Sequence, residues 1–164
     1  MPIAREYTLN QLNSVFNYIA NGHSGITAFY AGQYENYQNP DKLYPLLWVN
    51  AQTVESRANE NVYDYHLMVL DRCNEDELIR NEVYSDTLRT SLDIKAYLTN
   101  NNIYSFKVEQ PISIEKVTDE INSDMVCGWR MSMKIRTDWK ADICSIPGLI
   151  QSYTYSEGTV STGG

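Results

Sequence analysis

The sequence predicts an α+β domain: a mainly antiparallel sheet with a long helix and an N-terminal helix packed on one face. Three observations predict it. Val62–Leu70 alternates in the period of a strand and runs straight into a helical pattern that ends at Leu98. Thr8–Ile19 is a capped amphipathic helix, and Met125–Asp138 holds the cleanest alternation in the chain.

Thr8-Leu9-Asn10-Gln11 is a capping box, in which the Thr8 and Gln11 side chains accept from each other's backbone N–H. Leu9, Leu12, Val15, Phe16 and Ile19 then fall on one stripe, and Asn21-Gly22 closes the helix. Gly25 opens a short strand, Ile26–Tyr30, which ends at Gly32. Gln33–Lys42 is a loop by its turn residues, Asn39-Pro40-Asp41 among them. Leu43–Val49 is a second strand, confined by Pro45 to an edge or to its first residues. Ala51–Asn61 is polar and reads as a long hairpin connection into the strand at Val62. In that strand Tyr63, Tyr65, Leu67 and Val69 share one face. The other face begins polar at Asp64 and His66 and turns apolar at Met68 and Leu70.

Asn74-Glu75-Asp76-Glu77 reads as a second capping box with Asn74 as the cap, its acids suited to the positive end of the helix dipole. The long helix that follows carries one apolar stripe, Ile79, Val83, Ile94, Tyr97 and Leu98, and a second beside it, Tyr84, Leu88 and Leu92. An ordinary surface helix keeps one stripe of roughly 100°. This one is expected to be covered from two sides, the second cover being either the N-terminal helix or a neighbouring subunit. Glu82, Ser85, Asp86, Arg89 and Asp93 keep a narrow polar strip, with Asp86–Arg89 and Arg89–Asp93 at ion-pair spacing.

Asn100-Asn101-Asn102 stops the helix. Ile103–Val108 and Ile112–Val117, separated by Pro111, fit one bent strand or two short ones equally well. Next, Met125, Cys127, Trp129, Met131, Met133 and Ile135 point one way. Val126, Gly128, Arg130, Ser132, Lys134, Arg136 and Asp138 point the other. The strand exceeds the usual length of about five or six residues, so it is expected to project beyond its sheet. Residues 1–150 read as a single domain. Gln151–Gly164 is Ser, Thr, Tyr and Gly without a period, a flexible C-terminal arm expected to order on a neighbouring chain, with Tyr153 and Tyr155 as its contacts.

Composition narrows the class. A chain of 164 residues, 43% hydrophobic and 21% charged, suits one globular domain with a sizeable core. No apolar run approaches the roughly 20 residues of a membrane span, and Met1–Glu6 lacks the apolar core of a signal peptide. Cys73, Cys127 and Cys144 are odd in number and widely spaced, which fits neither a disulfide framework nor a zinc pattern; reduced thiols in a cytoplasm are the expectation. A net charge of −8 argues against a general nucleic-acid binder and suits a surface that repels DNA passing close by. Thirteen tyrosines offer large contact area with few torsions to freeze, which interfaces favour.

No motif announces catalysis, a cofactor or a metal. Gly22-His23-Ser24-Gly25 lacks the closing glycine of a nucleophile elbow and lies between helix and strand, the reverse of the required order. Asp71–Glu82 has acids at calcium-loop positions, but Cys73 and Asp76 stand where an oxygen ligand and the turn glycine are needed. His23 and His66 have no ligand-spaced partners, and His66 is expected to be a half-covered sheet residue. The glycine motifs that cradle phosphates are missing. The candidates are therefore interface residues. Arg130, Lys134 and Arg136 form a basic stripe on an acidic chain, either a solvated face or a partner for acids such as Glu75 and Asp76 of a neighbour. Tyr84, Leu88 and Leu92 form the apolar counterpart.

Tyr44-Pro45-Leu46-Leu47-Trp48 and the run from Tyr63 to Arg72, set in this order of elements, resemble the small neck and tail-completion (tail-terminator-like) proteins of tailed bacteriophages, in particular those of crAss-like gut phages. The likeness spans roughly Tyr7 to Ile146. It implies a helix-flanked sheet and a homo-oligomeric ring of about six or twelve copies around the DNA channel. It also implies portal, adaptor or tail proteins as neighbours, DNA only passing through, no catalysis and no membrane. The expected place is the virion neck or tail, after assembly in the host cytoplasm. The alternative is a small acidic binding module or an inhibitor of a host protein. That alternative needs acids in exposed rows, which Arg57, Arg72, Arg80 and Arg89 interrupt.

Overall fold

Thr8 starts the first helix as its sequence requires. Its hydroxyl accepts from the Gln11 N–H at 3.2 Å, and the Gln11 side chain accepts from the Thr8 N–H at 2.9 Å. In the computed structural model, which describes residues 7–34, 37, 41–100 and 102–139, this helix is α1, Leu9–Gly22. Leu12, Val15, Phe16 and Ile19 are buried, whereas Leu9, expected on the same stripe, is exposed in the first turn. His23 caps the helix end.

Strands β1 (Ala28–Ala31), β2 (Leu46–Ser56) and β3 (Glu60–Arg72) follow, then helix α2 (Glu77–Asn100), then β4 (Lys107–Val108), β5 (Ser113–Ile121) and β6 (Asp124–Asp138). They build one six-stranded sheet in the order β1-β2-β3-β6-β4, with β5 also on β6. Among the described strands only β1 with β2 is parallel. The fold is α+β, with both helices on one face of a mostly antiparallel sheet.

That face is the main core. Leu47 and Val49, Tyr65 and Leu67, and Met131 and Met133 meet Phe16 of α1 and Ile94 of α2 there. The alternation of β3 and β6 does what a period of two predicts: Tyr65 lies opposite Met133 and Leu67 opposite Met131. The tyrosine rings sit in the core while their hydroxyls reach its rim. Tyr65 donates to Asn13 Oδ1 and Tyr63 to the Tyr7 carbonyl, both at 3.0 Å, which ties α1 to the sheet.

Several expectations are corrected. The polar Ala51–Asn61 segment is strand almost throughout, and only residues 57–59 make the turn. Gln52–Ser56 is exposed, so the strand is held by its ladder to β3 and carries no apolar alternation to betray it. Strand β6 does not project beyond the sheet. It is a central strand, paired with β3 from Val126 to Asp138 and on its other side with β4 and β5. Pro111, after a cis peptide bond, divides β4 from β5, so the two-strand alternative holds. The cap of α2 is Asp76, whose Oδ1 accepts from the Leu78 N–H at 2.9 Å; Asn74 accepts from Asp76 instead.

Helix α2 also buries a different face from the one its hydrophobic residues mark. Thr87, Thr90 and Ser91 lie against the sheet beside Ile94 and Leu98, while Ile79 is exposed. Their hydroxyls turn back to the carbonyls four residues earlier, at 2.6, 3.2 and 2.8 Å, and so cost no unmet polar group. Neither Asp86 nor Asp93 pairs with Arg89. Asp93 takes His23, with Nε2 to Oδ2 at 2.9 Å, and pins α2 to the end of α1.

The expectation of reduced thiols fails for one pair: Cys73 and Cys127 form a disulfide, with Cα atoms 6.0 Å apart. The pairing of β3 with β6 places Asp71 opposite Cys127 and so brings together cysteines that are 54 residues apart in sequence. Cys144, Tyr153, Tyr155 and the arm 151–164 lie outside the described residues.

Candidate functional site

The second face of the sheet has two halves, as the β3 sequence predicted. At one end Leu46, Trp48, Met68, Leu70 and Val126 form a small apolar cluster. Tyr30, Tyr34, Tyr37 and Tyr44 close over it, with Tyr34 edge-on to Trp48 at 5.6 Å. At the other end the polar residues Asn50, Asp64, His66 and Ser132 continue the same strands.

A trough of about 540 Å³ lies where the two halves meet. Strand register assembles it: Trp48 is opposite Met68, which is opposite Arg130, and Asn50 is opposite His66. Val117 and Asp119 of β5 form one wall, and Gln33 and Tyr34 the other. Trp48 is 4% exposed, and its Nε1–H has no acceptor among the described residues; Arg130 Nε–H is in the same position. An unmet buried donor costs about 1–3 kcal/mol. Burial pushes the Tyr34 hydroxyl pKa well above the usual range for tyrosine, and the neighbouring Asp119 adds to that. Asn50 and His66 are half-buried.

The sequence-predicted interface residues do not converge. Tyr84 is occupied within its own chain. Its hydroxyl bonds the Thr118 hydroxyl at 2.5 Å, its ring meets Trp129 at 5.8 Å, and Lys116 Nζ sits 4.6 Å from its centroid. Leu88 is half-buried and Leu92 exposed. Glu75 and Asp76 are exposed at the start of α2. The basic stripe lies on the second face of β6, but two of its three members already have partners there. Arg130 Nη2 binds Glu115 across the β5–β6 pair, and Arg136 Nε lies 3.5 Å from Glu109. Lys134 is exposed and has no ion pair among the described residues. Of the described tyrosines only Tyr18 is exposed, so the surplus of this residue type serves the fold itself.

Sequence reasoning passed over two features. One is the trough, whose polar strand residues come from β2, β3, β5 and β6 and meet only through register; the switch from Asp64 and His66 to Met68 and Leu70 was its one visible trace. The other is a sheet edge. Strand β1 pairs with β2 only as far as Val49, so the outer edge of β2 from Asn50 to Ser56 meets no described strand. The outer edge of β5 is likewise bare among the described residues. Among the described residues no helix is long and apolar enough to cross a membrane. The chain matches no protein-family model and no curated protein.

Proposed function

We propose that the chain is a structural ring subunit of a tailed-phage neck or tail, joining portal or adaptor to tail around the DNA channel. The observation that carries this proposal is a pair of edges at opposite ends of one sheet that no described strand covers, β2 from Asn50 to Ser56 and the outer side of β5. An exposed edge is a template for pairing with another chain. Two unlike edges suit a head-to-tail contact, which closes into a ring when the rotation allows. Exposed Val54 on β2 and exposed Leu92 on α2 add apolar area outside the core. A net charge of −8 lets DNA pass without being held.

Native mass measurement tests the proposal. The expected particle is a many-fold multiple of the 18.9 kDa protomer, seen as a ring by electron microscopy. A monomer at every protein and salt concentration, with or without a phage portal protein, overturns it.

A further inference from the structure

We propose that the trough on the open face of the sheet binds a neutral, hydroxyl-rich ligand of the saccharide class. The volume, about 540 Å³, is within the range of sites that enclose small molecules. The chemistry of the lining selects the class. Arg130 has its charge answered by Glu115, and Asp119 contributes a negative charge of its own, so the trough offers no surplus positive charge to an anion. Among the described residues no three His, Cys, Asp or Glu side chains gather to hold a cation. What remains is hydrogen-bonding capacity on flat side chains.

Asn50 and Gln52 each carry a donor and an acceptor on one carboxamide, and His66 carries one of each on its ring. No described residue uses these side-chain groups, and the Trp48 Nε1–H beside them is unmet. A sugar hydroxyl both donates and accepts, which is what such a lining can satisfy. Met68 and Val117 supply the apolar strip on which the C–H face of a pyranose ring rests. The trough is built within one subunit; its Asn50 and Gln52 lie on the β2 edge proposed as a ring contact, and the sugar titration reads Trp48 whether or not the ring forms.

The test uses the full chain labelled with 5-fluorotryptophan, in which Trp48, Trp129 and Trp139 give separate fluorine resonances. Glucose, galactose, N-acetylglucosamine and maltose are titrated as probes. At least one is expected to shift the Trp48 resonance saturably while the other two stay in place. Asn50→Ala and Gln52→Ala, at half-buried and exposed positions, are each expected to weaken that binding about threefold to tenfold, the loss of one neutral hydrogen bond. Failure of all four sugars to move Trp48 overturns the proposal. So does a shift produced by inorganic phosphate or acetate in their place, or unchanged sugar affinity in both variants.

Discussion

Gly128 stands where β6 passes closest to β3. A Cβ placed there would lie 1.8 Å from the Val69 carbonyl oxygen and 3.1 Å from the Leu70 Cα, and both are backbone atoms that cannot swing aside. Gly128→Ala must therefore separate the two longest-paired strands of the sheet. It is expected to cost about 4 kcal/mol or more, at the severe end for a point substitution. A urea midpoint equal to that of the natural chain would refute the close approach. Asp71 on the neighbouring strand carries a different strain. Burial raises its carboxyl pKa and Asp86 adds to that, while the Arg72 amide and guanidinium pull it back. A carboxyl whose folded pKa is raised stabilises the fold below its unfolded pKa, and that contribution is lost as pH rises through the folded value. Asp71→Asn keeps the Oδ1 acceptor for the Arg72 N–H, which is 2.7 Å away. It is expected to melt above the natural chain at neutral pH, with the gap closing below the carboxylate range. A gap that widens on acidification would show the opposite sign.

Helix α2 lies close to the sheet because its inner face is small. Ser91 is fully buried, and its hydroxyl donates to the Thr87 carbonyl of its own helix. Ser91→Leu must push the helix away from β3 and β6 and is expected to cost about 1–3 kcal/mol by overpacking. Ser91→Ala leaves no partner group unmet and is expected to change stability by about 0.5 kcal/mol at most. Equal thermal denaturation midpoints for Ser91→Leu and Ser91→Ala would mean the face is looser than the burial indicates. The same residues show what a sequence reveals. Helix α1 and strand β6 were legible because their buried faces are apolar at a regular period. The inner face of α2 was hidden because Thr87, Thr90 and Ser91 bury hydroxyls that satisfy themselves within the helix. The outer half of β2 was hidden because an exposed strand needs no apolar alternation, and Thr53, Glu55 and Ser56 read as a loop. The trough and the disulfide depend on β2–β3–β6 register, which residues far apart in sequence do not display.

At the scale of the whole molecule, the ring proposal turns on which surfaces remain to meet a neighbour. Arg136→Glu would set a third acid beside Glu60 and Glu109 and disturb the fold itself, so reversal of the whole basic stripe is an ambiguous test. Val54 offers a cleaner one. It is 52% exposed on the part of β2 that β1 does not reach, and its cross-strand partner Tyr63 is buried on the helix side. A ring contact of standard size covers about 800 Å² on each partner and excludes water from its centre. A charge placed in such a contact must be desolvated, whereas a charge on a free surface stays in water. Val54→Lys is therefore expected to leave the thermal midpoint of the protomer nearly unchanged and to lower the assembled fraction. Lys134→Glu in the natural background tests the remaining charged contact. A net charge of −8 on every subunit means neighbours repel, so replacing a positive charge by a negative one should weaken assembly most at low salt, where screening is least. Native mass spectra across a salt series read both effects in one experiment. If Val54→Lys assembles like the natural chain at every salt concentration, the free edge of β2 is not the contact, and the ring must close through other surfaces or not at all.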